Sequence, residues 1–143
     1  VLEFDMQHSK EVVDLKRFDV SPTLTGFIDG QSVPENASAE IVKCIAPTDE
    51  TELTSLYEAD LDEVDGAVNA ARRAFESGPW PRMSIDERNR ILRQISDKIV
   101  EHAEELAYLE SINVGLPIRN VKVAHIPRAA RNFAFFTEVA RQA

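Results

Sequence analysis

The feature that most constrains this chain is a change of hydrophobic period at Asp60. Before it, apolar residues come in short β-branched runs. Behind it they recur every three or four residues, the spacing of helices that bury one face. Two signatures punctuate the helical part. Asp60 with Glu63, and Ser84 with Glu87, have the spacing of capping boxes, in which each partner bonds the other's backbone N–H. The first box opens a helix with Val64, Ala67, Val68, Ala71, Ala74 and Phe75 on one face, ended by Gly78-Pro79. The second opens a long helix, Ile85 to Asn113, with an apolar stripe of Ile91, Leu92, Ile95, Ile99, His102, Ala103, Leu106 and Leu109. Gly115 supplies a left-handed stop and Pro117 cannot continue the helix. A third helical stretch runs from Pro117 towards Ala143. Pro127 lacks an N–H and crowds the preceding turn, so a break is expected near His125-Ile126, with Pro127 in the first turn of the last helix. Ala130, Phe133, Ala134, Phe136 and Val139 can share one face there.

The first part reads as strands. Phe27-Ile28 runs into Asp29-Gly30, whose tolerance of positive φ suits a tight hairpin. Glu40–Ile45 is a second strand, ended by Ala46-Pro47 because proline cannot donate to a ladder. Thr48–Thr51 is a turn and Leu53–Tyr57 a third strand. Strands this short need a surface to pack on. Residues 1–25 form a variable leader, in which Val12, Val13, Leu15 and Phe18 suggest a short amphipathic helix over Ser9–Phe18, broken by Ser21-Pro22-Thr23. No repeat of fixed period is present. The fold class is therefore α/β, with short hairpin strands followed by three or four helices, and mainly helical as an isolated chain.

Charge and composition remove several function classes. With 25 acidic against 16 basic residues the net charge is −9, which repels phosphate backbones and argues against nucleic acid as a partner. No apolar run approaches the roughly 20 residues a membrane span needs, and the opening Val1–Asp5 has no charged-then-apolar leader pattern. One cysteine, Cys44, excludes an internal disulfide and suits a reducing, cytoplasmic setting.

Taken in order, the segments resemble the opening of the NAD(P)-dependent aldehyde dehydrogenase superfamily. Phe27-Ile28-Asp29-Gly30 resembles the family's F-I-N/D-G, and Ala46-Pro47-Thr48 stands at its N-P-x-T-G. Residues 63–75, EVDGAVNAARRAF, follow D-V-D-x-A-V-x-A-A-x-x-A-F. Gly78-Pro79-Trp80 matches G-x-W, and Arg88 with Leu92 fits R-x-x-x-L. Residues 106–110, LAYLE, match L-A-x-L-E; Gly115-Leu116-Pro117 stands for G-K-P; residues 126–133, IPRAARNF, resemble the start of the next helix. Each piece is unspecific alone, and the series in order carries the resemblance. Departures are Ala46 for asparagine, Asn113 for a common aspartate, Leu116 for lysine and His125 for a frequent aspartate.

The resemblance implies that residues 26–143 are an incomplete N-terminal part of the cofactor-binding domain, flanking it from outside, in an enzyme that uses NAD or NADP, with no cofactor bound by this chain alone. It implies the remainder of such an enzyme chain as partner, and a homo-oligomer. The family's cysteine thiolate attacks the aldehyde, an asparagine and a backbone N–H hold the oxyanion, and a glutamate activates water. The segments carrying these groups would lie downstream of Ala143, so no catalytic or cofactor-binding residue is expected here and the chain alone should be inactive. One site carries over: a structural monovalent cation held by backbone carbonyls near Cys44 or Ile45 and by the side chain of Asn113, weakened by the neutral amide.

The residues read blandly otherwise. Cys44 lies in a strand with no activating neighbour in sequence and reads as buried and structural. His102 reads as a satisfied, partly buried helix residue, His8 as exposed, His125 as a helix-break or cap residue. These four have no zinc spacing. Gly26 and Gly30 make no dinucleotide fingerprint, because no helix opens behind them. Trp80, Phe133, Phe135 and Phe136 suit core or interface. The rival readings are a non-catalytic helical interaction or oligomerisation module derived from such an enzyme, and an independent small enzyme.

Overall fold

The computed structural model describes residue 18 and residues 21–141. His8 and, Phe18 apart, the helix expected over Ser9–Phe18 lie outside the described residues.

Among the described residues, five strands occupy the first part: β1 (Thr23–Leu24), β2 (Phe27–Ile28), β3 (Gln31–Ser32), β4 (Ile41–Ile45) and β5 (Glu52–Tyr57). β2 and β3 form the expected hairpin, with Asp29 at φ 54° and Gly30 at φ 77°. Two successive positive φ values give the turn a twist that matches its strands. β4 pairs antiparallel with β5, from Ile41 opposite Tyr57 to Ile45 opposite Glu52, with a register shift between Cys44 and Ile45. β1 pairs parallel to the other edge of β5, giving the order β1-β5-β4. Here the structure corrects the reading of Ser21-Pro22-Thr23 as only a breaker. Pro22 lacks a donor but its carbonyl accepts from Ser55 N–H at 3.0 Å, and the Ser21 carbonyl accepts from the Thr54 hydroxyl at 2.9 Å.

Both capping boxes form. Glu63 N–H donates to Asp60 Oδ1 at 2.9 Å and Asp60 N–H to Glu63 Oε2 at 3.1 Å, opening α1 (Leu61–Ser77). Ser84 N–H donates to Glu87 Oε2 at 2.8 Å, opening α2 (Ile85–Glu101). A short 3₁₀ turn, Trp80–Arg82, joins them.

The single long helix to Asn113 is corrected to two. The rod bends at His102 (φ −99°, ψ 20°), and α3 runs from Ala103 to Val114. No glycine or proline marks the bend in sequence. The partners change around it: α2 packs on the last helix, whereas α3 packs mainly on residues 121–125 and sets Tyr108, Leu109 and Ile112 against Ala46 and Leu53. α3 stops at Gly115, φ 76°, as expected.

The expected break near His125-Ile126 is also corrected. A turn α4 (Ile118–Asn120), a π turn (Val121–His125) and α5 (Ile126–Ala140) follow without interruption. Ile126 N–H bonds the Val121 carbonyl, one residue further back than in an α-helix. The wider turn makes room for the ring of Pro127, which does sit in the first turn of α5.

α2 and α5 pack antiparallel through small and polar residues. Asn89, 2% exposed, donates from Nδ2 to the Thr137 carbonyl at 3.0 Å, and Ser96 Oγ donates to the Ala130 carbonyl at 2.9 Å. Arg93–Glu138 and Asp86–Arg141 ion pairs flank this seam. A second small core joins Ala46, Leu53 and Ile112, with Cys44, Tyr108 and Leu109 against it. Phe18 reaches the same helix, its ring centroid 5.2 Å from that of Tyr108.

The expected core faces are partly overturned. α1 buries Ala70 and leaves Val64, Val68 and Phe75 exposed; α5 buries Ala130 and Thr137 and leaves Phe133, Phe136 and Val139 exposed. Between α2 and α5 the close approach admits only small side chains, so the phenylalanines turn outward.

Candidate functional site

The end of β4 meets the end of α3, and this junction brings together the residues singled out for a cation. The Cys44 thiol donates to Asn113 Oδ1 at 2.9 Å across 69 positions of sequence. Ile45 follows at the register shift, partly exposed. Next to it, Ala46 is fully buried, accepts from Glu50 N–H at 2.9 Å and donates to the Thr51 carbonyl at 2.8 Å. The site's asparagine-to-alanine departure thus places a small apolar residue inside the Leu53–Ile112 core. The turn is braced by Asp49, which accepts from the Thr51 hydroxyl at 2.7 Å and its N–H at 3.1 Å. These bonds, the hydroxyl's first, hold the Asp49 carboxyl below the ordinary carboxylate range. Gly115 closes the junction on the other side, since a Cβ built there would fall 2.8 Å from Pro47 Cγ.

The remaining candidates are scattered. Cys44 is half-buried rather than buried, and its thiol is committed to an amide oxygen. His102 is not part of a buried stripe: it sits half-exposed at the helix bend with Nδ1 3.1 Å from Glu105 Oε2. His125 is exposed in the π turn and makes no side-chain cap bond. Gly30 belongs to a hairpin turn with no helix N-terminus behind it, and Gly26 meets Val33. Trp80, Phe133, Phe135 and Phe136 are exposed; the last two pack edge-on at 5.4 Å. Among the described residues no group of three or more His, Cys, Asp or Glu could hold a metal ion, and no helix is long and apolar enough to cross a membrane.

The other carboxyls with lowered affinity for protons are all explained by local bonds. Lys43 holds Glu52 down, the Ser84 N–H holds Glu87 down, and Lys98 holds Glu101 down. They brace surface turns and helix starts and do not converge on a cavity.

What the structure presents instead is open apolar surface. The expected stripe of α2, Ile91, Ile95 and Ile99, lines with Leu106 a groove of about 660 Å³ that nothing fills among the described residues. A second cleft, about 490 Å³, lies between the sheet and α3, lined by Leu24, Leu53, Leu56, Leu109 and Ile126, with Cys44 and Asn113 at one side. Sequence reasoning missed the Cys44–Asn113 contact and the Asn89 and Ser96 bonds to α5, because nothing local announces partners so distant.

Residues 33–143 match the model of the aldehyde dehydrogenase family. The chain is similar to aldehyde dehydrogenase family 2 member C4 of Arabidopsis thaliana, 39% identical over 109 residues, which is 76% of this chain and 22% of that protein. It also superimposes on the NAD-dependent aldehyde dehydrogenase of Sinorhizobium meliloti with TM-score 0.78 and 35% identity, over 87% of this chain and 24% of that one. An indole-3-acetaldehyde dehydrogenase of P. syringae, solved in complex with NAD+ and IAA, gives TM-score 0.81 at 29% identity, over 90% of this chain and 26% of that one. The chain therefore spans about a fifth to a quarter of the length of these relatives.

Proposed function

The chain belongs to the aldehyde dehydrogenase family, and on that premise we propose that residues 26–143 are the N-terminal part of the cofactor-binding domain of an NAD(P)-dependent enzyme oxidising an aldehyde to a carboxylic acid. Within it this segment is scaffold. The observation that carries the reading is the alignment of nearly the whole helical and strand series with about a quarter of the S. meliloti enzyme. The open α2–α3 groove and the sheet–α3 cleft are the faces that receive the remainder of such an enzyme, which contributes the nucleophile, the oxyanion donors and the nicotinamide site. Cys44 does not substitute for that nucleophile, because its thiol is half-buried and hydrogen-bonded to Asn113. A cytoplasmic setting is part of the reading, supported by the single free thiol, and imaging a tagged chain tests it.

Two arms test the proposal. Grafted in place of the equivalent portion of the S. meliloti enzyme, the segment supports NAD-dependent aldehyde oxidation. The 143-residue chain alone, supplied with NAD or NADP and a panel of aldehydes, reduces neither. Turnover by the isolated chain overturns the scaffold assignment, and a folded but inactive chimera overturns its place in the enzyme.

The proposal extends to the β4–α3 junction as one side of a structural monovalent cation site, with the Ile45 carbonyl and Asn113 Oδ1 as donors and further oxygens from other segments. The 2.9 Å contact that brings β4 beside Asn113 supports it. Restoring a carboxylate by Asn113→Asp raises the melting temperature of the chimera more in potassium than in tetramethylammonium; equal shifts in both overturn the site.

A further inference from the structure

Among the described residues, Arg88 is the one basic side chain that is neither paired nor left to water. The others reach a carboxylate, as Arg73 reaches Asp29 at 3.0 Å and Arg93 reaches Glu138, or are exposed and find their acceptors in solvent, as Arg82 and Arg90 do. Arg88 is half-buried, and its Nε is shut off from solvent with no hydrogen-bond partner. An N–H in that state has lost water and gained nothing, which is why such donors are rare. The position on the helix adds to the cost. Arg88 lies in the first turn of α2, behind the Ser84 cap, where the helix dipole disfavours a cation. The carboxylates of that turn are already engaged, Asp86 by Arg141 and Glu87 by the Ser84 N–H. Its neighbours one turn away on the same helix face, Ser84, Ile85, Ile91 and Leu92, carry no charge.

The same face carries the open α2–α3 groove. Arg88, Ile91, Ile95 and Ile99 recur three and four residues apart, so Arg88 stands at the N-terminal end of the apolar floor that these isoleucines form with Leu106. A cation without a counter-charge at the end of an apolar groove fits a segment with apolar side chains along its length and a carboxylate at one end. The two carboxylate oxygens match the fork of guanidinium N–H groups. We infer that Arg88 is the docking anchor of this face, pairing with an aspartate or glutamate on the segment of the complete enzyme that covers Ile91, Ile95 and Ile99. Arginine suits the place because it stays charged when desolvated and holds both oxygens at once, which lysine does not. The inference rests on the reading that the α2–α3 groove receives the remainder of the enzyme, and it adds the chemistry of the contact.

Phenylglyoxal, which modifies accessible guanidinium groups, separates the two states. In the 143-residue chain, mass mapping of peptides shows Arg88 modified, with Arg90 as the exposed reference. In the chimera with the S. meliloti enzyme, Arg88 is modified about tenfold more slowly, because the reagent must wait for the pair to open. Arg88→Met keeps the bulk of the stem and removes the charge. It lowers the melting temperature of the chimera by several degrees, since it strands a buried carboxylate, and Arg88→Lys recovers part of the loss. The loss shrinks in acid, where the stranded carboxylate takes up a proton. In the isolated chain Arg88→Met does not lower the melting temperature. Equal labelling of Arg88 in chain and chimera, or a loss that is the same at neutral and acid pH, overturns the pairing. Protection of Arg88 in the isolated chain, or destabilisation of that chain by Arg88→Met, assigns the acceptor to residues 1–17 and overturns the occupant. A chimera without turnover in which Arg88 is protected overturns the catalytic reading and supports the pairing.

Discussion

Replacing Gly115 by alanine probes the contact that locks the end of α3 to the β4–β5 turn. Two costs combine there. The residue sits at φ 76°, where an L side chain meets its own carbonyl, at about 1–2 kcal/mol. A Cβ also falls 2.8 Å from Pro47 Cγ, a separation real Cβ atoms essentially never show. Relieving that overlap in a packed junction adds about 1–3 kcal/mol. Gly30 is the internal control, since it has φ 77° and nothing within 4 Å of a built Cβ. Gly30→Ala therefore costs about 1–2 kcal/mol and Gly115→Ala about 2–5 kcal/mol. The excess is assignable to Pro47 by a double-mutant cycle. In a Pro47→Ala background the nearest remaining atom is the residue 47 Cβ at 3.5 Å, an ordinary contact. The Gly115→Ala penalty should then fall to that of Gly30→Ala, a coupling of about 1–3 kcal/mol. Urea unfolding followed by circular dichroism, with an unchanged slope, measures each corner of the cycle. If Gly115→Ala costs no more than Gly30→Ala, or if Pro47→Ala gives no relief, the close approach is not what fixes this junction.

Three further outcomes follow from the same bonds. Asn89→Ala removes the buried amide that satisfies the Thr137 carbonyl and costs about 1–3 kcal/mol in urea unfolding, whereas an exposed neighbour such as Arg90→Ala changes little. Asp60→Ala removes the α1 cap and costs about 1 kcal/mol, with most of it recovered by Asp60→Ser. Glu87 sets a pH dependence. Its carboxyl is held below its ordinary value of 4.5, chiefly by the Ser84 N–H, so its contribution is fully present above that value and is lost as pH falls through the lowered one. Acid titration of stability should show this loss in the native chain and a flatter limb in Glu87→Gln; identical acid limbs would remove the capping bond as its source.

Much of the local structure was legible in sequence. A capping box spans four residues, a hairpin turn two, and a left-handed helix stop one, so Asp60/Glu63, Ser84/Glu87, Asp29-Gly30 and Gly115 announce themselves whatever surrounds them. The family was legible for a related reason. Each motif records a local backbone need, and the order of the motifs records the order of elements along the chain.

Which apolar residues end up inside was settled elsewhere. A period of 3.6 says that a helix has an apolar side, but α1 carries alanines and large side chains on adjoining edges, and its neighbour is the hairpin, which takes the alanine edge. α5 met α2 closely enough that Ala130 and Thr137 fit and the phenylalanines did not. The bend at His102 falls where α2 and α3 turn to different partners, and the π turn before Pro127 lets the chain stay helical past a residue that should stop it. The Cys44–Asn113 contact joins positions 69 apart. Local chemistry acts within a turn or two of the chain and is written in the residues themselves; burial, bends and distant bonds depend on what each surface meets, and only the assembled tertiary structure supplies the other side.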